Sequence, residues 1–250
     1  MGAAVELLRA VEQQELVLAY QPVFELATGR LRRVEALVRW SHPDHGLLLP
    51  GAFLPAAAQP GIADALNAFV VDQAIGQHRA WARAGARVPV AINVAPDSLR
   101  AGTLLAELDG ALERHRVEPA MVTVEITEAA TDAADPVIAS CLLALSRRGV
   151  RVSLDDFGTR DASLDRLRRW HFDELKLDRL FVSNAATDAM DQTIIGFATG
   201  LAHDLGMTIT AEGITGPAVL EVVRDLGVDD GQGYHLGRPV APDAIPAYLS

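Results

Sequence analysis

Hydrophobic and polar positions alternate in short runs along this chain, and each run gives way to a longer stretch in which apolar residues return every three or four positions. The first rhythm predicts strands and the second amphipathic helices. Residues 3–14 carry the helical rhythm, 16–23 and 31–40 read as strands, and the link 24–30 between them has Thr28-Gly29 at its tip. That link is too short for the crossover a parallel pair requires, so an antiparallel hairpin is expected. From residue 61 the pattern settles into helix, glycine, strand. Helical stretches end at Gly85, Gly149, Gly206 and Gly227, each placed for a left-handed C-terminal cap. The strands that follow helices cover 88–94, 121–127, 150–155, 174–177, 207–211 and 228–232, which makes eight with the hairpin. Two apolar stripes, Leu104, Leu105, Leu108 and Leu112, then Ile194, Ile195, Ala198, Leu201, Ala202 and Leu205, are expected to be core faces laid on the sheet.

Strands alternating with helices over 250 residues, without a glycine-rich dinucleotide fingerprint after the first strand, predict an α/β fold. The expected architecture is a TIM-type (β/α)8 barrel, modified by an antiparallel first strand, forming a single domain over residues 1–250. Composition adds limits. Half the residues are hydrophobic, yet no stretch approaches the roughly 20 apolar residues a membrane span needs, and no basic-then-apolar leader is present. A soluble cytoplasmic protein is the expectation. The one cysteine, Cys141, excludes an intrachain disulfide and a thiolate metal cluster, and is read as packing. A net charge of -11 argues against a groove for a nucleic-acid polymer, which needs a basic face.

The candidate chemistry lies where strands end, because barrels of this kind gather their catalytic groups there. Successive tips present Glu35, Asn93, Glu125, the adjacent Asp155 and Asp156, Lys176 with Asp178, Glu212 and Gln232. The aspartate pair reads either as an acid pair compensated by divalent metal or by a proton, or as a capping pair in a solvated turn. Hard oxygen donors select magnesium, manganese or calcium over zinc or copper. His42, His45 and His235 are scattered, which suits solvated or packing roles. Among 22 basic residues Lys176 is the single lysine, and a compact ammonium offers what guanidinium does not. Glu35, Asn93, Glu125 and Asp155, with Asp156 and Glu212 for a second ion, have the composition of a two-metal phosphoester hydrolase. Lys176 could orient the water, and Arg39 could pair with a phosphate.

Glu35-Ala36-Leu37-Val38-Arg39-Trp40 resembles the signature of the EAL-domain cyclic di-GMP phosphodiesterases. Supporting segments are Tyr20-Gln21-Pro22-Val23, Ile92-Asn93-Val94, Glu125-Ile126-Thr127-Glu128, Asp155-Asp156-Phe157-Gly158-Thr159, Leu175-Lys176-Leu177-Asp178-Arg179, Ala211-Glu212-Gly213 and Gln232-Gly233-Tyr234. The resemblance implies hydrolysis of cyclic di-GMP to linear pGpG with two Mg2+ or Mn2+ ions, Ca2+ being inhibitory. It implies Glu35, Asn93, Glu125 and Asp155 as ligands of one ion and Asp155, Asp156 and Glu212 as ligands of the other. Lys176 resembles the lysine beside the attacking water, and Glu212 doubles as a general base. Gln21, Arg39 and Gln232 resemble substrate-binding residues, Asp178 a supporting acid, and Glu128 the anchor of a loop tied to homodimer contacts.

Three departures stand beside these matches. The loop after Thr159 reads Arg160-Asp161-Ala162-Ser163-Leu164 where relatives have Gly-Tyr-Ser-Ser-Leu, Thr215 replaces a frequent glutamate, and Ala58 replaces another. They motivate a second expectation, a cyclic di-GMP receptor or interaction module that has lost turnover. A barrel lyase with a magnesium-bound enolate uses similar acids without explaining the ordered segments.

Overall fold

The computed structural model describes residues 3–57, 61–128, 135–159, 167 and 169–249. Among them nine strands occur in chain order: β1 (Leu16–Glu25), β2 (Leu31–His42), β3 (Gly46–Leu48), β4 (Val90–Asn93), β5 (Val122–Thr127), β6 (Arg151–Phe157), β7 (Glu174–Leu177), β8 (Thr208–Ala211) and β9 (Asp230–Gly231). The helices are α1 (Ala3–Glu12), α2 (Pro50–Ala57), α3 (Ile62–Arg83), α4 (Pro96–Ala101), α5 (Thr103–His115), α6 (Pro136–Arg148), α7 (Arg179–Val182), α8 (Ala189–Asp204) and α9 (Pro217–Asp225). The sheet runs β1-β9-β8-β7-β6-β5-β4-β2, and β1 also pairs with β2, so eight strands close into a barrel. β1 is antiparallel to both neighbours, while the remaining junctions around the barrel are parallel. This is the modified TIM-type barrel that the pattern predicts. β3 lies outside the ring as an edge on β2, with Trp40 opposite Leu48. Its three residues are too few to show a period, so the pattern did not announce it.

Alternation along each strand sorts the side chains. Val34, Val90, Ile92, Val124, Ile126, Val152, Leu175, Leu177, Ile209 and Ala211 are fully buried and share one apolar cluster with the helices. The residues between them face the barrel interior, as a period of two requires. Val23 and Ala91 are fully buried yet stand outside that cluster. The interior is therefore largely polar, where barrels of this class usually stack branched aliphatic layers.

The four glycines expected at helix ends have φ between 75 and 90°, a region that costs other residues strain. Leu104, Leu108 and Leu112 are buried as the stripe on α5 requires. On α8, Ile195, Ala198 and Ala202 are buried but Leu205 is 45% exposed, because it is the C-cap and the helical rhythm no longer governs it. Cys141 is buried and free. No helix among the described residues is long and apolar enough to cross a membrane.

The regular pairing of strands is broken at the tip of β6. This strand continues two residues beyond its expected end, and its register with β7 slips between Leu154 and Phe157. The slip falls on Asp155 and Asp156, and Asp156 has φ 58°, unusual for a residue with a side chain. A bulge of this kind re-aims side chains, so the adjacent acids need not point to opposite faces.

Candidate active site

Seven polar residues meet at the end of the barrel where the parallel strands finish. Lys176, on β7, stands at their centre with 1% of its side chain exposed. Its Nζ lies 2.7 Å from Glu212 Oε1, 3.0 Å from Glu125 Oε2, 3.3 Å from Asp155 Oδ1 and 3.8 Å from Glu35 Oε2. Glu35 in turn accepts from Asn93 Nδ2 at 2.6 Å and from Gln232 Nε2 at 2.7 Å. Asp156 joins from the bulge: it, Asp155 and Glu212 each offer a carboxylate oxygen within 4.8 Å of the others. The backbone N–H of Asp156 also donates to Asp155 Oδ1 at 3.0 Å.

One ammonium faces more negative charge than it can neutralise, and the protonation equilibria show it. Burial pushes the Glu212 carboxyl up to about 8, against the pull of Lys176 and with help from Asp155 and Glu35. Burial likewise raises Glu125 well above the carboxylate range despite Lys176. For Glu35 burial works in the same direction, but Lys176 and the hydrogen bonds from Gln232 and Asn93 prevail and hold it low. Burial, then the charge of Asp155, raises Asp156. Lys176 is held cationic: burial opposes its charge, and Asp155, Glu125, Glu212 and Glu35 together overcome that penalty.

The donor set suits divalent metal. It consists of oxygens, it carries excess negative charge, and two of its buried atoms, Glu125 Oε1 and Gln232 Oε1, have no hydrogen-bond partner among the described residues. The Asn93 nitrogen is committed to Glu35, which leaves its amide oxygen as a ligand atom.

The EAL domain family model matches residues 4–239. The chain belongs to the EAL domain family. It is 37% identical over 246 residues to MucR of Pseudomonas aeruginosa, a bifunctional diguanylate cyclase/cyclic di-GMP phosphodiesterase, covering 98% of this chain and 36% of that protein. It is 35% identical to the cyclic di-GMP phosphodiesterase NbdA of the same organism, covering 98% and 31%. The chain thus spans about a third of the length of these relatives. Among solved structures, the PaMucR phosphodiesterase in its c-di-GMP complex gives a TM-score of 0.92 at 36% identity, covering 98% of this chain and 100% of that one. The EAL domain protein of Listeria monocytogenes EGD-e gives 0.85 at 29% identity, covering 98% and 96%.

Two clefts open on this EAL site and share Glu35. One, of 350 Å³, is lined by Gln21, Asp155, Glu212 and Gln232 together with Arg179, Ser183, Thr215 and Tyr234. The other, of 550 Å³, is mostly apolar and lies between β2 and α2–α3, with Leu37, Val38, Leu54, Leu66 and Val70 on its walls and Asn93 at its edge. The remaining expected residues sit around this centre. Gln21 lies opposite Glu35 across the hairpin and donates to the Gly237 carbonyl at 3.1 Å. Arg39 is farther along β2, 8% exposed, and its Nη1 donates to the Val38 carbonyl at 2.9 Å. Asp178 caps α7 by accepting from the Leu180 N–H at 2.8 Å. Glu128 accepts from the Gly158 N–H at 3.3 Å. Gly158 has φ 90°, and a Cβ there would come within 2.9 Å of the Phe181 ring. Arg160, Asp161, Ala162 and Ala58 lie outside the described residues.

Sequence reasoning assigned no role to Arg179, Ser183 or Tyr234, which follow the strand tips on loops or on α7 and carry no periodic signal. It also passed over Arg33, Glu174 and Asp230. Their signal was available: each stands two residues before a site residue, Glu35, Lys176 or Gln232, and so shares its face.

Proposed function

We propose that this EAL barrel, as one unit over residues 1–250, is a metal-dependent phosphodiesterase that hydrolyses cyclic di-GMP to linear pGpG. The observation that carries the reading is the Lys176-centred cluster: four carboxylates within 4 Å of one ammonium, at the mouth of a barrel whose relatives MucR and NbdA are cyclic di-GMP phosphodiesterases. Glu35, Asn93, Glu125 and Asp155 would hold one Mg2+ or Mn2+ ion, and Asp155, Asp156 and Glu212 the other. When bound, such ions polarise a phosphoester and lower the pKa of an attacking water.

The chain's own groups do the rest. Lys176 keeps its proton and presents it where water approaches phosphorus, steadying the oxygen that attacks or leaves. Glu212, 2.7 Å from Lys176, accepts the water's proton once its own carboxyl is ionised. Gln232 and Asn93 fix both oxygens of Glu35, so the carboxylate does not rotate. The two clefts flanking Glu35 suit a ligand with two bases and central phosphates; Gln21 lines the smaller one as a polar contact, and Arg39, which lines neither, would meet the ligand from farther along β2. Asp178 supports α7, and Glu128 restrains the turn that follows the aspartates, the segment through which a homodimer would be coupled to the site. The substrate is a cytoplasmic signal, so the cytoplasm is the expected place of action.

The test is pGpG release from cyclic di-GMP by purified protein with Mg2+ and with Mn2+. Turnover with either ion is expected, and Glu35→Ala is expected to abolish it. Binding of cyclic di-GMP in Ca2+, with no cleavage in Mg2+ or Mn2+, would replace this reading by that of a receptor. Arg160-Asp161-Ala162, and Thr215 in the smaller cleft, are the residues that favour the receptor alternative.

A further inference from the structure

Beneath the site lies a second buried cluster, centred on Arg33, which is 5% exposed. Its Nη2 bonds Glu174 Oε1 and approaches Thr210 Oγ1 at 3.4 Å, and its Nη1 lies 3.4 Å from Asp230 Oδ2. Thr210 also donates to Glu174. Arg32 reaches Asp230 from outside at 3.4 Å. One guanidinium therefore ties together four strands, β2, β7, β8 and β9. Two residues beyond each tie stands a member of the site: Glu35 after Arg33, Lys176 after Glu174, Glu212 after Thr210, and Gln232 after Asp230. Side chains two apart on a strand share a face, so the lower set is the floor of the upper one.

Stability alone is a poor reason for such a floor. Buried ion pairs do little for stability relative to packed hydrophobic residues of similar volume, and aliphatic layers are the usual filling of these barrels. A planar fork with several donors does something an aliphatic layer cannot: it fixes the heights of neighbouring strands relative to one another. We infer that Arg33 is a positioning residue for the active centre, holding Glu35, Lys176, Glu212 and Gln232 at the mutual height that metal binding and turnover require. The positive charge of Arg33 also acts on Glu35 and Glu125 from below.

The inference rests on the metal-dependent reading of the site, and the experiment separates the two. Arg33→Met alone leaves Glu174 buried without its cation and Asp230 with Arg32 alone, so loss of the fold is the risk in that variant. The informative protein is Arg33→Met/Glu174→Gln/Asp230→Asn, in which the charges are removed together, with Thr210→Val as a milder companion that keeps every charge. Mn2+ affinity is read by calorimetry and kcat against KM by pGpG release, on protein shown folded by circular dichroism. The triple variant is expected to lose Mn2+ affinity by about 10- to 100-fold, as removal of groups supporting metal ligands does, with kcat falling and KM moving by less than about twofold. Thr210→Val should shift Mn2+ affinity in the same direction by a smaller factor. Wild-type protein that binds Mn2+ without cleaving cyclic di-GMP would remove the phosphodiesterase reading and leave this one intact, since calorimetry reads it separately. Wild-type Mn2+ affinity and kcat in either folded variant would overturn it.

Discussion

The Arg33 layer lies two residues below Glu35, Lys176, Glu212 and Gln232 of the Lys176 layer, and each layer is centred on a buried cation, yet their charges are organised in opposite ways. In the lower layer Glu174 and Asp230 meet Arg33, and Arg32 adds a second contact to Asp230, so two acids face two guanidinium groups. Burial disfavours both charges: at Glu174, Arg33 and Thr210 more than compensate and hold the carboxyl low, whereas at Asp230 burial outweighs Arg33 and Arg32 and the carboxyl is raised. In the upper layer a single ammonium serves Glu35, Glu125, Asp155 and Glu212, with Asp156 beside them. There the surplus is met by raised carboxyls at Glu212, Glu125 and Asp156. Burial by itself thus does not mark a site. An uncompensated buried charge is costly, and a fold that keeps several acids around one cation is arranged for a ligand that supplies the missing charge.

Lys176→Met tests that contrast most severely. Turnover should fall by about 10²- to 10⁴-fold, the range for a positioned proton-handling group, as measured by pGpG release. Metal affinity should not fall with it, because the substitution removes a competing cation; Mn2+ calorimetry that showed weaker binding would break the comparison. Proton release is a finer probe. The folded-state pKa of Glu212 is raised to about 8 from 4.5, so the metal-free protein carries a proton there at neutral pH and a metal must expel it. By the same sign, this group makes the metal-free fold less stable as pH rises through that window, since the folded state binds the proton more tightly. Titrations with Mg2+ in two buffers of different ionisation enthalpy should show proton release near neutrality that disappears well above the Glu212 pKa. Glu212→Gln should abolish that part of the release. The smallest effect is expected at Asp178, two residues beyond Lys176 and outside both layers. Its removal in Asp178→Ala deletes a helix cap and should cost about 1 kcal/mol in urea denaturation.

The residues themselves made much of the fold legible. The short link after β1 dictated the antiparallel hairpin, and Gly85, Gly149, Gly206 and Gly227 marked the helix ends at which they are found. The strand ends gathered Asn93, Glu125, Asp155, Lys176, Glu212 and Gln232, and they meet at one end of the barrel with Glu35, which is not at a strand tip as expected but in mid-strand, because β2 runs on to His42 to pair with β3. Other features had no local signal. The slip at Asp155-Asp156 depends on how β6 pairs with β7, and β3 exists because the turn after His42 brings Leu48 against Trp40. Leu205 kept an apolar identity that suggested burial, yet its place at the end of α8 exposes it.

What the sequence alone determined is which face each side chain takes. Alternation with a period of two sends Arg33 and Glu35, or Glu174 and Lys176, to the same side of a strand wherever that strand lies. What only the tertiary structure decided is height. Arg33 meets a glutamate 141 positions away because closing the barrel staggers each strand against the next, and that stagger selects which inward residues share a layer. Register is a relation between strands. It is therefore written in the closed barrel, and it separates a balanced floor at Arg33 from an acid-rich mouth at Lys176.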